Sequence, residues 1–355
     1  MPEIRQIFAE DYGRLAVFLA GFAASYPPAE SWLARFRHWW DANPAFSAGI
    51  PRGWAIEDKT GGIAGFLGSI PSFLHLPGRS GGLLVFSATT WNVLPAFRSH
   101  SLKLLEKFLE SSHESIAFDS TPSPDVLKIL SVLKFRRVTF SRKTAYRLLD
   151  PVSLFLGRYS GNLAGRLLSG SALPKLLAAD WFLRFGKAGG KPDPAVRLID
   201  TADSTFDRLW EQTRQSCPGS CRDARTLGWY CFGNPEGKKI LIGYYRGDEL
   251  LGYAIFRSGQ KGSAKSLVCL DVFTLPGCEW VSGPLLDRGE FEARKLGCAL
   301  LTVLVPLGPA EKEITGKFLL KKNREFAVYF KAGPEYQKLI AIESLHLYAQ
   351  GDHGL

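Results

Sequence analysis

Few residues of this chain stand where a side chain could do chemistry, and the clearest are acids set in or beside apolar runs. Asp271 lies inside the apolar stretch 267–273. A carboxylate there is costly unless it is paired or faces a cleft. It reads either as half of an ion pair with a nearby arginine or as a group that binds a cation or takes a proton. Asp119 closes the apolar segment 115–118 and precedes Ser120-Thr121-Pro122. It suits proton transfer at a strand end, and it equally suits capping the helix that follows. His113 and His100 are further polar candidates, though such histidines are more often ordinary surface side chains. Anion binding is a second kind of chemistry. Residues 93–105 carry an apolar run into a helix through Arg98, Ser99, His100 and Ser101. A helix start presents unsatisfied backbone N–H groups and a partial positive charge, and the Ser101 hydroxyl can cap or donate. The six cysteines all fall in the second half, and only Cys217 and Cys221 are close together. No histidine stands near them at a zinc-like spacing, so reduced, mostly buried thiols are expected and no metal site.

The elements that must position these groups come in two sets. Asn43-Pro44 and Asn234-Pro235 each follow an aromatic cluster and lie 191 residues apart. Ile63-Ala64-Gly65-Phe66 answers Leu250-Leu251-Gly252-Tyr253 at an offset of 187, and Lys134-Phe135 answers Glu325-Phe326 at 191. A near-constant offset of this length means one architecture built twice. The first half reads as a strand at 3–8, helices around Leu15–Phe22 and 31–40, and a hairpin of 54–57 with 63–73. It continues with a strand at 83–93, a helix at 101–111, a strand at 115–118, a helix around 126–133 and a strand at 137–140. The second half repeats that order: a strand at 196–199, a helix around Phe206, a hairpin of 240–245 with 250–256 and a strand at 267–273. A helix at 284–296, a strand at 299–305, a helix at 311–322 and strands at 327–330 and 345–348 complete it. Each half is therefore an α/β unit with a mixed sheet and helices on its faces. The expected domains are residues 1–150 and 192–355, joined by a connector at 151–191.

This order resembles the GNAT acyltransferase superfamily, as a tandem pair of GNAT-like domains. The most specific local match is Val93-Leu94-Pro95-Ala96-Phe97-Arg98. In GNAT enzymes a similar stretch ends a central strand and enters a helix through Arg/Gln-x-x-Gly-x-Gly/Ala, whose backbone binds the pyrophosphate of coenzyme A. The resemblance implies acetyl-CoA or another acyl-CoA as donor, bound by Asn92, Val93, Leu94, Arg98, Ser99, His100, Ser101 and Leu102. It places the donor between the strands at 83–93 and 115–118. It implies a small-molecule amine as acceptor, and Asp271 and Asp119 are the catalytic candidates that their places in the strands leave for it. This sequence departs from the pattern: Ser101 and Lys103 stand where the glycines would be. The second copy has nothing like the phosphate loop, and Glu279 there would repel a pyrophosphate. Many GNAT enzymes place an acidic tyrosine four residues before a Gly-Phe pair. Here those positions are Leu130 and Lys321.

Residues 222–235, and the ending at 345–352, resemble segments of tandem GNAT-like proteins encoded with bacterial cell-surface polysaccharide enzymes. They direct the acceptor toward an amino sugar or envelope precursor. The arginines at the start of 222–230 also suit a plain core helix. The net charge is +10, and half of it sits in 151–191, which holds six basic residues and one acid among leucines and aromatics. A basic amphipathic segment of this kind either docks on an anionic membrane surface or packs its apolar face on the domains. No run is long enough to suggest a membrane-spanning helix, and the N-terminus lacks a signal-peptide pattern, so cytoplasmic residence is expected, with a peripheral place at the inner membrane face as the alternative. Two alternatives stand beside the acyltransferase: a Fem-like enzyme drawing an amino acid from transfer RNA, the one role for nucleic acid, and a non-catalytic scaffold.

Overall fold

The structure is a computed structural model that describes residues 2–336, apart from 77, 79–80, 114, 152, 155–192, 217–218, 236, 238, 262–263, 307–309, 319 and 334–335. The connector at 151–191 and the closing strand at 345–348 therefore lie almost wholly outside the described residues. In chain order the first copy holds β1 (Glu3–Gln6), α1 (Tyr12–Phe22), α2 (Ala29–Phe36), β2 (Gly53–Glu57), β3 (Ile63–His75) and β4 (Leu83–Val93). It continues with α3 (Ser101–Ser111), β5 (Ile116–Asp119), α4 (Pro124–Val132) and β6 (Arg136–Leu148). The second copy holds β7 (Val196–Ile199), α5 (Ser204–Thr213), β8 (Gly219–Ser220), α6 (Ala224–Phe232), β9 (Ile240–Arg246), β10 (Glu249–Lys261) and β11 (Ala264–Thr274). It ends with α7 (Ser282–Lys295), β12 (Leu300–Leu304), α8 (Ala310–Gly316) and β13 (Leu320–Ala332). The two sets follow one order, as the repeated landmarks imply. No described helix is long and apolar enough to cross a membrane.

The chain forms two compact units, and these are not two consecutive halves. Unit 1 takes residues 1–140, 214–238 and the described residues from 326; unit 2 takes the described residues of 141–213 and 239–325. The expected division at 150 and 192 is thus replaced by an interleaved one. β6 begins in unit 1 and runs into unit 2, while β13 begins in unit 2 and ends in unit 1. Helix α6, from the second copy, belongs to unit 1.

In unit 1 the sheet order is β1-β2-β3-β4-β5, followed by the end of β13. Strands β1 to β4 pair antiparallel, β4 and β5 pair parallel, and β13 pairs antiparallel with β5 through Tyr329↔Asp119 and Phe330↔Phe118. One face is covered by α3 and α4, whose Leu104, Leu105, Phe108 and Leu130 pack with Ile56, Leu67 and Phe86. The aromatic run of α2 and of the π-helical turn Arg37–Asp41 that continues it is buried: Trp32, Phe36, Trp39 and Trp40 are each at most 3% exposed. Asn43 explains how that helix stops. Pro44 bars the helical conformation for the residue before it, and the Asn43 amide donates to the carbonyls of Trp39 and Pro71, both at 2.9 Å. The Asn43 side-chain Oδ1 accepts from the Ala45 N–H at 2.9 Å. The helix end is thereby tied to β3.

In unit 2 the order is β6-β12-β11-β10-β9-β7, with β11 and β12 parallel and the other neighbours antiparallel. Its core joins Leu251, Phe256, Leu267 and Val303 to Leu285, Leu286 and Ala293 of α7. Buried Glu290 on α7 is held by Arg147 of β6 and, at 2.8 Å, by Arg294.

Two expected elements are corrected. The helix at 311–322 ends at Gly316, and the chain is extended from Leu320 onward. The basic run Lys321-Lys322 continues no apolar helical spacing. The pairing of Lys134-Phe135 with Glu325-Phe326 also fails. Lys134 is a helix-ending residue with φ +58°, followed by buried Phe135. Glu325-Phe326 lies inside β13. The counterpart after α8 is Lys317-Phe318, whose N–H groups close the turn onto Ile314 and Thr315 and whose phenyl ring is buried. The position four residues earlier then falls on exposed Glu313, again not a tyrosine.

Candidate functional site

In unit 1 the parallel ladder between β4 and β5 is short. It runs through Val85↔Ile116, Phe86↔Ala117 and Ser87↔Phe118 and ends there. β4 continues for six more residues beside β3 alone, and β5 stops at Asp119. The strands part, and a cleft of about 470 Å³ opens between them. One wall is 88–92 of β4. The facing wall is Asp119, Thr121, Pro122 and Ser123, and the third comes from Tyr26, ahead of α2, and from Trp32 and Arg35 on it.

The β4 wall is irregular. Gly68 pairs with Thr89 and Phe66 with Asn92, so three steps on β4 match two on β3. This is a β-bulge, and within it Thr90 adopts φ +48°. Asn92, 8% exposed, ties the bulge down. Its Oδ1 accepts from the Tyr26 hydroxyl at 3.1 Å, and its Nδ2 donates to the Thr90 carbonyl at 3.2 Å. Three other polar atoms of cleft residues are buried with no hydrogen-bond partner: Thr90 Oγ1, Trp91 Nε1 and Trp32 Nε1. Across the cleft, Asp119 Oδ1 accepts from the Thr121 N–H at 3.1 Å. The cap of α4 is instead Ser123, whose Oγ accepts from the Val126 N–H at 3.4 Å. Asp119 is thus not the helix cap, and it lines the cleft.

The expected site residues are divided by the structure. Asn92 and Asp119 meet at the cleft; Val93, Leu94, Arg98, Ser99, His100, Ser101 and Leu102 do not line it. The Val93 side chain is in the core, and the Leu94 N–H donates to the Ala64 carbonyl at 2.9 Å. Residues Pro95–His100 form a 3₁₀ helix that runs straight into α3, and the Ser101 N–H is spent on the Arg98 carbonyl. Pro95 at the first helical position starts this helix early. With no glycine at 101 or 103, the open turn that would aim backbone amides at a pyrophosphate does not form. Arg98 and Lys103 remain exposed on this segment. His113 lines a separate cleft of about 450 Å³ with Glu106, Glu110 and Lys331.

Asp271 in unit 2 is 5% exposed and lines neither cleft. It follows a bulge in β11, between Cys269 and Asp271, and pairs with Ile255 of β10. It accepts from the Tyr253 hydroxyl at 3.4 Å. Burial, and then the Asp271 charge, push the Cys269 thiol well above its ordinary value. In the loop after β11, the Glu279 carboxylate accepts from the Gly277 N–H at 3.0 Å, occupying an amide that an anion would need. Of the other described cysteines, Cys231 and Cys298 are buried, and burial raises the half-buried Cys221 thiol to about 11.

Sequence reasoning missed Tyr26, Trp32, Arg35, Thr90 and Trp91. One signal was present: β4 reads Leu-Leu-Val-Phe-Ser-Ala and then Thr-Thr-Trp-Asn before its final valine. A polar run ending an apolar strand marks where burial on both faces stops.

No family model matches this chain, and no curated protein matches it by sequence. Solved structures do match. A GCN5-related N-acetyltransferase from Anabaena variabilis aligns at TM-score 0.57 and 12% identity, over 93% of this chain and 72% of its own. Saccharomyces cerevisiae N-myristoyltransferase with bound myristoyl-CoA aligns at 0.58 and 11%, over 94% and 80%. A probable N-acyltransferase of Enterococcus faecalis aligns at 0.58 and 8%, over 93% and 72%. These matches establish the GNAT fold over nearly the whole chain.

Proposed function

We propose that this protein is an acyl-CoA-dependent N-acyltransferase whose transfer site is the cleft between β4 and β5. The observation that carries the reading is the parting of these two strands after Ser87, with Asp119 on the facing wall. Acyl-CoA, when bound, supplies an acyl group activated as a thioester. The edge of β4 along 88–92 suits the amides of a pantetheine arm, which can lie against it as an added strand. The side chains of Arg98 and Lys103 would hold the phosphates from outside, in place of the backbone turn that the 3₁₀ helix removes. Asp119 takes the proton that the acceptor nitrogen loses as the C–N bond forms. The C–S bond breaks with its electron pair leaving on sulfur, and solvent protonates the thiolate. Asp271, buried on Tyr253, is assigned a positioning part in unit 2.

The acceptor in this reading is the amine of a small molecule, and the Trp and Tyr walls suit the flat faces of a sugar. An amino-sugar envelope precursor fits both that chemistry and the sequence resemblance at 222–235. The protein would then work in the cytoplasm, where such precursors are made. Calorimetric titration with acetyl-CoA, followed by a thiol-release assay over a panel of amines, tests the reading. Micromolar binding, weakened severalfold at low salt by Arg98→Ala, is expected from the loss of one phosphate contact. No binding at all would leave the scaffold reading, which the spent amides of Phe97 and Ser101 favour.

A further inference from the structure

Among the residues that line the cleft between β4 and β5, two are charged: Arg35 and Asp119. Both keep exposed surface, so a solute in the cleft can reach them. Arg35 follows Trp32 by three positions on α2, which sets both on one side of the helix. Its guanidinium lies over the Trp32 ring, 4.9 Å from the centroid. Trp32 is firmly held. It is 3% exposed, and its ring stacks on Phe36 at 5.9 Å and meets Trp39 edge-on at 6.1 Å. Tyr26, tilted against the same ring at 5.7 Å, donates to Asn92 of β4 at 3.1 Å. The cation is thus seated on a platform fixed to the core and, through Tyr26, to the β4 wall.

A guanidinium stacked on an indole uses its flat face. Its N–H donors lie in the plane of the group and point outward from its edge, so it can take an oxyanion beside any bond it already makes. Paired N–H···O bonds to a carboxylate or a phosphate are the strongest use of that edge. We infer that the acceptor carries an acidic group beside its amine, a carboxylate or a phosphate, and that Arg35 recognises this group while Asp119 receives the amine. The cleft then matches the acceptor charge for charge. The protonated amine is drawn to Asp119 before it gives up its proton, and the acid is drawn to Arg35. An amine without an acid meets only half of this pattern, and one with a second cation meets repulsion from Arg35. Little side-chain freedom is left to lose at Arg35 on binding, because the Trp32 platform already holds it. Arg35 selects the acceptor and takes no part in the proton transfer.

This inference rests on the N-acyltransferase reading, and the test separates the two. Acetyl-CoA binding is first measured by calorimetry. Thiol release at saturating acetyl-CoA is then followed for two matched pairs of amines, glucosamine with glucosamine 6-phosphate and β-alaninamide with β-alanine. The first pair tests a phosphate as the source of the anion, the second a carboxylate. Wild type should favour the acid over its acid-free partner in at least one pair, by about tenfold in kcat/KM and mostly through KM. Arg35→Gln should bring that ratio below about twofold, and comparing each ratio with wild type cancels the amines' own reactivities. Arg35→Lys, which keeps the charge but loses the planar fork, should fall between the two. Arg35→Glu should turn the preference toward the acid-free partner. A merely structural role would lower both members of a pair alike and leave the ratio intact. Equal kcat/KM within both pairs, transfer to none of the four amines, or a ratio that Arg35→Gln leaves intact overturns the inference while the acyl-donor site stands. Acetyl-CoA binding that weakens in Arg35→Gln as far as the ratio falls also overturns it, since Arg35 then holds the donor. Failure of wild type to bind acetyl-CoA removes the N-acyltransferase reading and this inference with it.

Discussion

The indole Nε1–H of Trp229 donates to the backbone carbonyl of His38 at 2.8 Å, and the two rings stack with centroids 4.9 Å apart. Their separation in the chain is 191 residues, the offset of the two Asn-Pro pairs. Each residue is the other's counterpart in the duplication, and the two meet inside unit 1. Trp229 lies on α6, which the second copy contributes to a unit otherwise built largely from the first. Replacing Trp229 by Ala removes the ring stack and the hydrogen bond and should cost about 2–4 kcal/mol, read from the denaturant midpoint. Trp229→Phe keeps the stacking and should cost about half as much. A fragment of residues 1–150 lacks α6, β8 and the end of β13, so it should fail to give a cooperative transition. A stable folded 1–150 fragment would contradict the interleaved architecture.

The same contact shows what the sequence could and could not reveal. The order of elements was legible because each carries its own periodicity and turn chemistry, and the aromatic helix ending at Asn43 is local in every respect. The exchange of α6, β6 and β13 was not legible. A strand such as β13 looks the same whether it pairs with its own copy or the other. At the site, Asp119 and Asn92 could be named because each stands at the end of an apolar run. Thr90 could not, since its interest lies in a backbone angle set by the register of β3 against β4. The segment at 93–102 shows the reverse case: Arg98 and Ser101 match a pattern in sequence, while the absent glycines were visible there but the 3₁₀ helix over Pro95–His100 was not.

Gly65 and Gly252 hold equivalent places in β3 and β10, and both are crowded. A Cβ at Gly65 would lie 2.8 Å from Ile56 Cδ1, the mobile end of a side chain. A Cβ at Gly252 would lie 2.8 Å from the Phe273 carbonyl oxygen, which is backbone. Overpacking that a side chain can relieve costs less than overpacking against a ladder. Gly65→Ala should therefore destabilise by about 1 kcal/mol and Gly252→Ala by about 2–3 kcal/mol. Equal midpoints for the two variants would mean that the strands give way alike.

Acid should act first on the start of the chain. Arg5 donates to Asp11 at 2.6 Å and to Glu57 at 2.8 Å, and these bonds hold both carboxyls below their usual range. The Phe8 N–H also donates to Asp11, at 3.0 Å. A carboxyl with a depressed folded-state value stabilises the fold fully above its unfolded value, about 4, and that contribution is lost as pH falls through the folded one. Stability should be level from neutrality to about pH 5 and decline below about pH 4. Asp11→Asn keeps an acceptor for Phe8 but loses the charge. It should cost about 1–3 kcal/mol at pH 7 and flatten the acid decline. An acid slope unchanged by Asp11→Asn would place the sensitivity elsewhere.

Asp119 gives the most direct test of the proposed chemistry, because the structure separates its two possible uses. Ser123 already caps α4, and the Thr121 N–H can be met by an amide oxygen as well as by a carboxylate. Asp119→Asn keeps an acceptor for the Thr121 N–H, so the melting temperature should fall by no more than about 4 °C, the scale of one polar contact. A carboxylate that takes the acceptor's proton contributes about 10²–10⁴-fold, so the variant should lose transfer on that scale while binding acetyl-CoA within about twofold of wild type. The loss should shrink as pH rises, since more of the amine is then already deprotonated. Ser123→Ala is the complement: it should lower stability by about 1 kcal/mol through the lost cap and leave the transfer rate nearly unchanged. Should Asp119→Asn instead melt early and transfer at the wild-type rate, the carboxylate is structural and the proton leaves by another route.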